Sequence, residues 1–225
     1  MKKSITSLLF SVIISLTFAM SVSATLIPMD MSMFPDLFSN TTGTYTYNAT
    51  TNLFETKATP HTFALDPATS VPVTGSCASY YAGFYVDENG KLQSGVSGND
   101  LKITGKIDVD NDGTYDYTGT LLTGEITNFG YQYVTVGQSL FNFAFDVTGG
   151  ALASLFPTEH DGTQLGGDYF TTENTNFNGS WLTSSYGYKV KHDTFPIPNP
   201  EPTTWILLLI GMIGMTTVTR KRVRL

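Results

Sequence analysis

The stretch Leu101-Lys102-Ile103-Thr104-Gly105-Lys106-Ile107-Asp108-Val109 alternates from end to end. A period of two puts Leu101, Ile103, Ile107 and Val109 on one face and Lys102, Thr104, Lys106 and Asp108 on the other. That is the pattern of a half-buried β-strand. Phe141-Asn142-Phe143-Ala144-Phe145-Asp146-Val147 repeats it, with aromatics on one face and polar or small residues on the other until the final valine.

Reading outward from these two runs, strands and turns alternate at short intervals. Gly43–Tyr47, a turn at Asn48–Asn52 and Leu53–Thr56 form a hairpin. Tyr80–Val86, Asp87-Glu88-Asn89-Gly90 and Lys91-Leu92 form another, with Asn-Gly as the turn signal. Tyr115–Leu122 and Ile126–Val136 read as two further strands, and Ala151–Phe156 as one helical turn. No repeat stands out. The pattern predicts an all-β body, an antiparallel β-sandwich or open barrel. Its expected core is Tyr45, Phe54, Phe63, Phe84, Ile103, Ile107, Leu121, Phe141, Phe143, Phe145 and Trp181.

Composition bounds the function. Hydrophobic residues at 41% and charged residues at 14% are too apolar for a disordered chain and too polar for a polytopic membrane protein. The body between Thr25 and Asn199 has eighteen acidic side chains against six lysines, a net of −12, and no arginine. Nucleic-acid binding needs clustered cations, so that class is excluded. An acidic body suits a solvated extracellular module or one that binds cations. Cys77 is the single cysteine, so an intramolecular disulfide and a cysteine-rich zinc site are both excluded. Its expected place is buried, as a small apolar residue.

Both ends carry targeting features. Lys2 and Lys3, the apolar Ile5–Met20 run and Val22-Ser23-Ala24 make a signal peptide over residues 1–24, with cleavage by signal peptidase expected after Ala24. The body then covers residues 25–195. Residues 196–204 hold four prolines and read as an extended stalk. Residues 205–219 form a charge-free apolar helix opened by Trp205, shorter than the roughly 20 residues of a comfortable span. Residues 220–225 are basic, and positive charge stays cytoplasmic, which puts the body outside.

The order Pro200-Glu201-Pro202, apolar helix, Arg220-Lys221-Arg222 at the chain end resembles the PEP-CTERM sorting domain of exported bacterial proteins. The resemblance covers about the last 26 residues and leaves the fold of the body open. It implies recognition by an exosortase, a membrane peptidase that cuts near Pro-Glu-Pro. It also implies release or attachment at the cell surface alongside exopolysaccharide. Pro200, Glu201, Pro202, Arg220, Lys221 and Arg222 are then recognised residues with no catalytic role. Gly119–Ile126, Val147–Gly150 and Gly179–Trp181 are similar to segments of uncharacterised PEP-CTERM proteins and bring no known activity.

Within the body, Asp108-Val109-Asp110-Asn111-Asp112-Gly113-Thr114-Tyr115-Asp116 resembles a calcium loop of the EF-hand or dockerin type. Calcium takes six to eight hard oxygens, and Asp108, Asp110, Asp112, Thr114 and Asp116 offer them. Position 12 is Gly119, where the family has a bidentate glutamate, and the flanks are strands. The same residues read equally as an acidic hairpin turn shaped by Asp112-Gly113. His61, His160 and His192 lack metal spacing, and no G-x-S-x-G occurs. The first expectation is a non-enzymatic structural or adhesive surface protein. A calcium-dependent carbohydrate-binding module, marked by exposed aromatics near the acidic loop, and a secreted hydrolase using His160 or His192 are the alternatives. Beyond calcium no cofactor is expected.

Overall fold

A computed structural model describes residues 25–30, 32–39, 43–135, 138–156, 161–167, 177–184 and 190–197. Every strand among them joins one antiparallel sheet, and no helix occurs among the described residues. The all-β antiparallel class read from the alternating runs is therefore the fold. The segments expected as signal peptide, apolar helix and basic tail lie outside the described residues, as does the expected stalk from residue 198 on; the stalk does not begin at 196, because Pro196 ends β13 opposite Asp161. Among those residues no helix is long and apolar enough to cross a membrane.

The strands are β1 (Asp36–Ser39), β2 (Thr44–Asn48), β3 (Leu53–Ala58), β4 (Thr62–Ala64), β5 (Ser70–Pro72), β6 (Thr74–Val86), β7 (Leu92–Gly95), β8 (Leu101–Ile107), β9 (Tyr117–Thr135), β10 (Gln138–Gly149), β11 (Asp161–Gly167), β12 (Trp181–Ser184) and β13 (Val190–Pro196). Several are halves of longer runs. β5 passes into β6 through Val73 alone, and β3 passes into β4 through residues 59–61. β3 pairs β6 while β4 pairs β5, so the two runs form one long, broken hairpin. The β1–β2 run pairs that hairpin on its far side. The β12–β13 run in turn pairs both β2 and β1.

Following the ladder onward closes it. β6 pairs β8, β8 pairs β9, β9 pairs β10, β10 pairs β11 and β11 pairs β13. Eight consecutive runs thus each have neighbours on both sides, and the last run pairs the first. The β13–β1 and β1–β4 pairs close the ladder that the alternation left as a sandwich or an open barrel, while β5, β7 and β12 each pair one neighbour among the described strands. β7 pairs the distal end of β6 as a side hairpin.

Side chains that alternate inward fill the interior. Phe54 of β3 meets Phe84 of β6 at 5.0 Å and Phe129 of β9 at 5.3 Å between ring centres. Tyr45 of β2 reaches Phe141 of β10 at 5.8 Å. Such pairs add roughly 0.5–1.5 kcal/mol each beyond their buried area. Ten of the eleven expected core residues are buried. Of Trp181 only the backbone is described, opposite Tyr47.

Two expectations need correction. The strands expected at 115–122 and 126–136 are one strand, β9. It continues through Gly124, where a Cβ would come within 2.5 Å of the Phe145 ring. Register shifts along its partners absorb the irregular pattern as bulges. Cys77 is exposed, not buried. Between the pairs Thr74↔Lys106 and Ser79↔Thr104, β6 carries extra residues and bulges outward, lifting Cys77 off the sheet.

The segment at residues 25–30 lies on the outside of the barrel. The Ile27 amide donates to Asn142 Oδ1 at 3.0 Å, and Asn142 Nδ2 donates to the Ile27 carbonyl at 2.8 Å. This strap explains why residues 141–145 of β10 are buried on both faces. It approaches Gly130 closely, where a Cβ would lie 2.7 Å from the Thr25 oxygen and the Ile27 nitrogen.

Candidate functional site

The loop between β8 and β9 carries the sharpest chemistry. β8 delivers Asp108 as its inward alternation ends, and Asn111 and Gly113 take positive φ angles of 58° and 90° to turn the chain. Short hydrogen bonds shape the loop. The Gly113 amide donates to Asp108 Oδ2 at 2.9 Å, the Val109 amide to Asp116 Oδ2 at 2.7 Å and the Thr114 amide to Asp112 Oδ1 at 2.7 Å. Asp108, Asp110 and Asp116 converge, each offering a carboxylate oxygen within 4.8 Å of the others. Oxygens bound to one calcium at 2.3–2.6 Å lie no more than about 5 Å apart, so the spacing fits. Asp108 Oδ1 is buried and has no hydrogen-bond partner among the described residues. Asp112 stands outside the converging carboxylates and instead caps its own turn by accepting from the Thr114 amide. Gly119 takes a φ of 85° opposite Gly105, and as a glycine it supplies no side-chain ligand at position 12 of the loop.

The other candidates do not gather. His61 is exposed, and its Nδ1 lies 2.7 Å from Thr62 Oγ1. His160 lies outside the described residues. The backbone of His192 pairs Ser39 and Leu165 in β13, and its side chain lies outside the described residues. Pro200, Glu201, Pro202, Arg220, Lys221 and Arg222 also lie outside them.

Two buried acids, Asp100 and Asp161, and the half-buried Asp36 escaped the sequence reading. Asp100 is 1% exposed. Its Oδ1 accepts from the Val96 amide at 2.6 Å and its Oδ2 from the Ile126 amide at 2.8 Å, tying β7 to β9. Asp161 opens β11 opposite Phe145, fully buried, with neither carboxylate oxygen partnered among the described residues. Burial first, and the Asp146 carboxylate second, push its pKa up to about 8. Burial also raises Asp36 to about 8, helped by a hydrogen bond and the charge of Asp193. No alternation rule marks these residues: Asp161 takes a buried strand position that a pattern would fill with an apolar group, Asp100 lies just ahead of β8, and Asp36 is on the less buried face of β1.

A second surface feature lies beside the acidic loop. Tyr115 is 47% exposed, and Lys106 Nζ stands 5.1 Å from its ring centre. Sequence reading expected an exposed aromatic here but did not single out this tyrosine. Its position next to Asp116, just past the alternating strand, is the signal that points to it.

Comparison with protein-family models, with curated proteins and with solved structures gives no match.

Proposed function

We propose that the chain is an exported protein whose β-barrel body works at the cell surface. It is held and processed through its two ends, in a non-enzymatic structural or adhesive role associated with exopolysaccharide. The observation that carries this reading is where the ends of the body lie. Met29 and Ile197 both pack over Gly162, where a Cβ would come within 3.1 Å of Met29 and 2.7 Å of Ile197. A signal peptide ahead of Thr25 and a sorting segment beyond Ile197 therefore leave from one patch of the barrel wall. A body so arranged hangs from one membrane by both ends without distortion. Signal peptidase removes the first segment, and an exosortase-type peptidase reads Pro200-Glu201-Pro202, with Arg220-Lys221-Arg222 kept on the cytoplasmic side. Deleting residues 200–225 tests the assignment. The expected result is loss of surface retention and of C-terminal processing. A deleted chain that localises and matures like wild type contradicts it.

A calcium-stiffened loop is a second part of the reading, favoured by the convergence of Asp108, Asp110 and Asp116 around a buried, unpartnered oxygen. Binding at a hundredfold excess over Kd stabilises by about 2.7 kcal/mol, or about 5–10 °C for a body of this size. Thermal unfolding in calcium should exceed that in chelator by this amount, and Asp110→Asn with Asp116→Asn should abolish the difference. Equal midpoints in calcium and chelator contradict the loop's role.

A further inference from the structure

A groove of about 560 Å³ runs along the outer face of β8, between the β6 bulge and the start of β9. Its floor is Lys102, Thr104 and Lys106, all on the outward alternation of one strand. Residues four apart on a strand are about 13 Å apart, so the two ammonium groups are spaced along the groove. They are two of the body's six lysines, and no carboxylate stands among the described residues that line it. In a body of net charge −12 this is a local reversal of sign.

Hydroxyl groups line the same groove in a set order. Thr104 Oγ1 donates to the Cys77 carbonyl at 2.6 Å. Its single proton is then used, so Ser79 Oγ, at 2.8 Å, donates to Thr104. Ser79 is exposed, and its hydroxyl oxygen can then accept from a ligand. At the Lys106 end Tyr115 stands nearly half exposed, held by its cation–π contact.

We propose that this groove binds a carboxylated glycan chain. Sugar rings stack on aromatic faces, their hydroxyls exchange hydrogen bonds with serine and threonine, and repeated carboxylates pair with spaced lysines. An extended acidic peptide gains only the charge pairing. β8, paired by β6 on one side and β9 on the other, also offers it no strand edge in the groove for main-chain pairing. The inference rests on the adhesive part of the function above and gives it a ligand class and a site.

The test is calorimetric titration of the protein purified from the producing cells, at low salt, with oligogalacturonate, a neutral glucan oligosaccharide and polyglutamate. Oligogalacturonate should bind with a Kd below about 1 mM. Lys102→Gln with Lys106→Gln should weaken it about tenfold or more, and Tyr115→Ala several-fold. Lys91→Gln, on the exposed hairpin turn away from the groove, should leave it unchanged. The neutral glucan and polyglutamate should bind at least about tenfold more weakly. Oligogalacturonate that fails to bind, a double lysine variant that binds like wild type, or polyglutamate that binds as tightly as the glycan overturns the proposal. The titration reads neither targeting segment, so its failure leaves the export assignment standing, and failure of the deletion experiment leaves the groove standing.

Discussion

Asp161 and Asp36 set how the protein responds to pH. Unfolded, each carboxyl releases its proton near pH 4. Folded, each holds it to about pH 8. Between those values the folded state binds more protons than the unfolded state, so stability is greatest at low pH and falls as pH rises. The expected outcome is a thermal midpoint at least about 5 °C higher at pH 5 than at pH 9, with the slope flattened in Asp161→Asn and Asp36→Asn. A flat or rising profile in wild type contradicts the burial of these acids. Asp100 acts differently, because both its oxygens are used by backbone amides. Asp100→Ala strands two buried donors, each worth about 1–3 kcal/mol. The urea midpoint should drop accordingly at unchanged m-value. Gly95 belongs to the same contact, since a Cβ there would overlap the Asp100 carboxylate.

At the scale of elements, local chemistry was legible and long-range pairing was not. The β2–β3 and β6–β7 hairpins follow from turn residues: Asn52 takes a φ of 61° and Gly90 one of 78°, as turns there require. The acidic loop was also readable as a turn, and three of its carboxylates, Asp108, Asp110 and Asp116, converge. The β6 bulge was not, because four residues opposite the single Gly105, three of them extra, leave the apolar alternation on either side intact. That is why Cys77 read as buried. The strap was equally hidden, since Asn142 looks like an outward polar residue of β10 until residue 27 covers it. Asn142→Ala removes two hydrogen bonds and leaves the Ile27 amide and carbonyl without their partner. It should cost about 1–3 kcal/mol and speed amide exchange at Ile27 well above that of the barrel strands. Unchanged exchange at Ile27 would mean that the strap is held by something else.

For the whole molecule, closure and the shared exit of the ends belong together. β1 near the start and β13 near the end of the body pair directly, with Leu37 opposite Thr194. That contact brings the N-terminal strap and Ile197 to one side of the barrel. Sequence patterns mark β2, β3, β6, β8, β9 and β10 but miss β1, β4, β5, β11, β12 and β13, and they do not say which strands meet, so neither closure nor co-located ends was legible. The targeting segments show the reverse. Their order along the chain is plain in the sequence, and the proposed export rests on it and not on the barrel. The reading of the molecule as an exported body processed at both ends is tested most directly by the intact mass of the mature protein from the producing cells. The account predicts a chain that begins at Thr25 and ends near Pro200. A chain that retains residues 1–24 or still ends at Leu225 contradicts it.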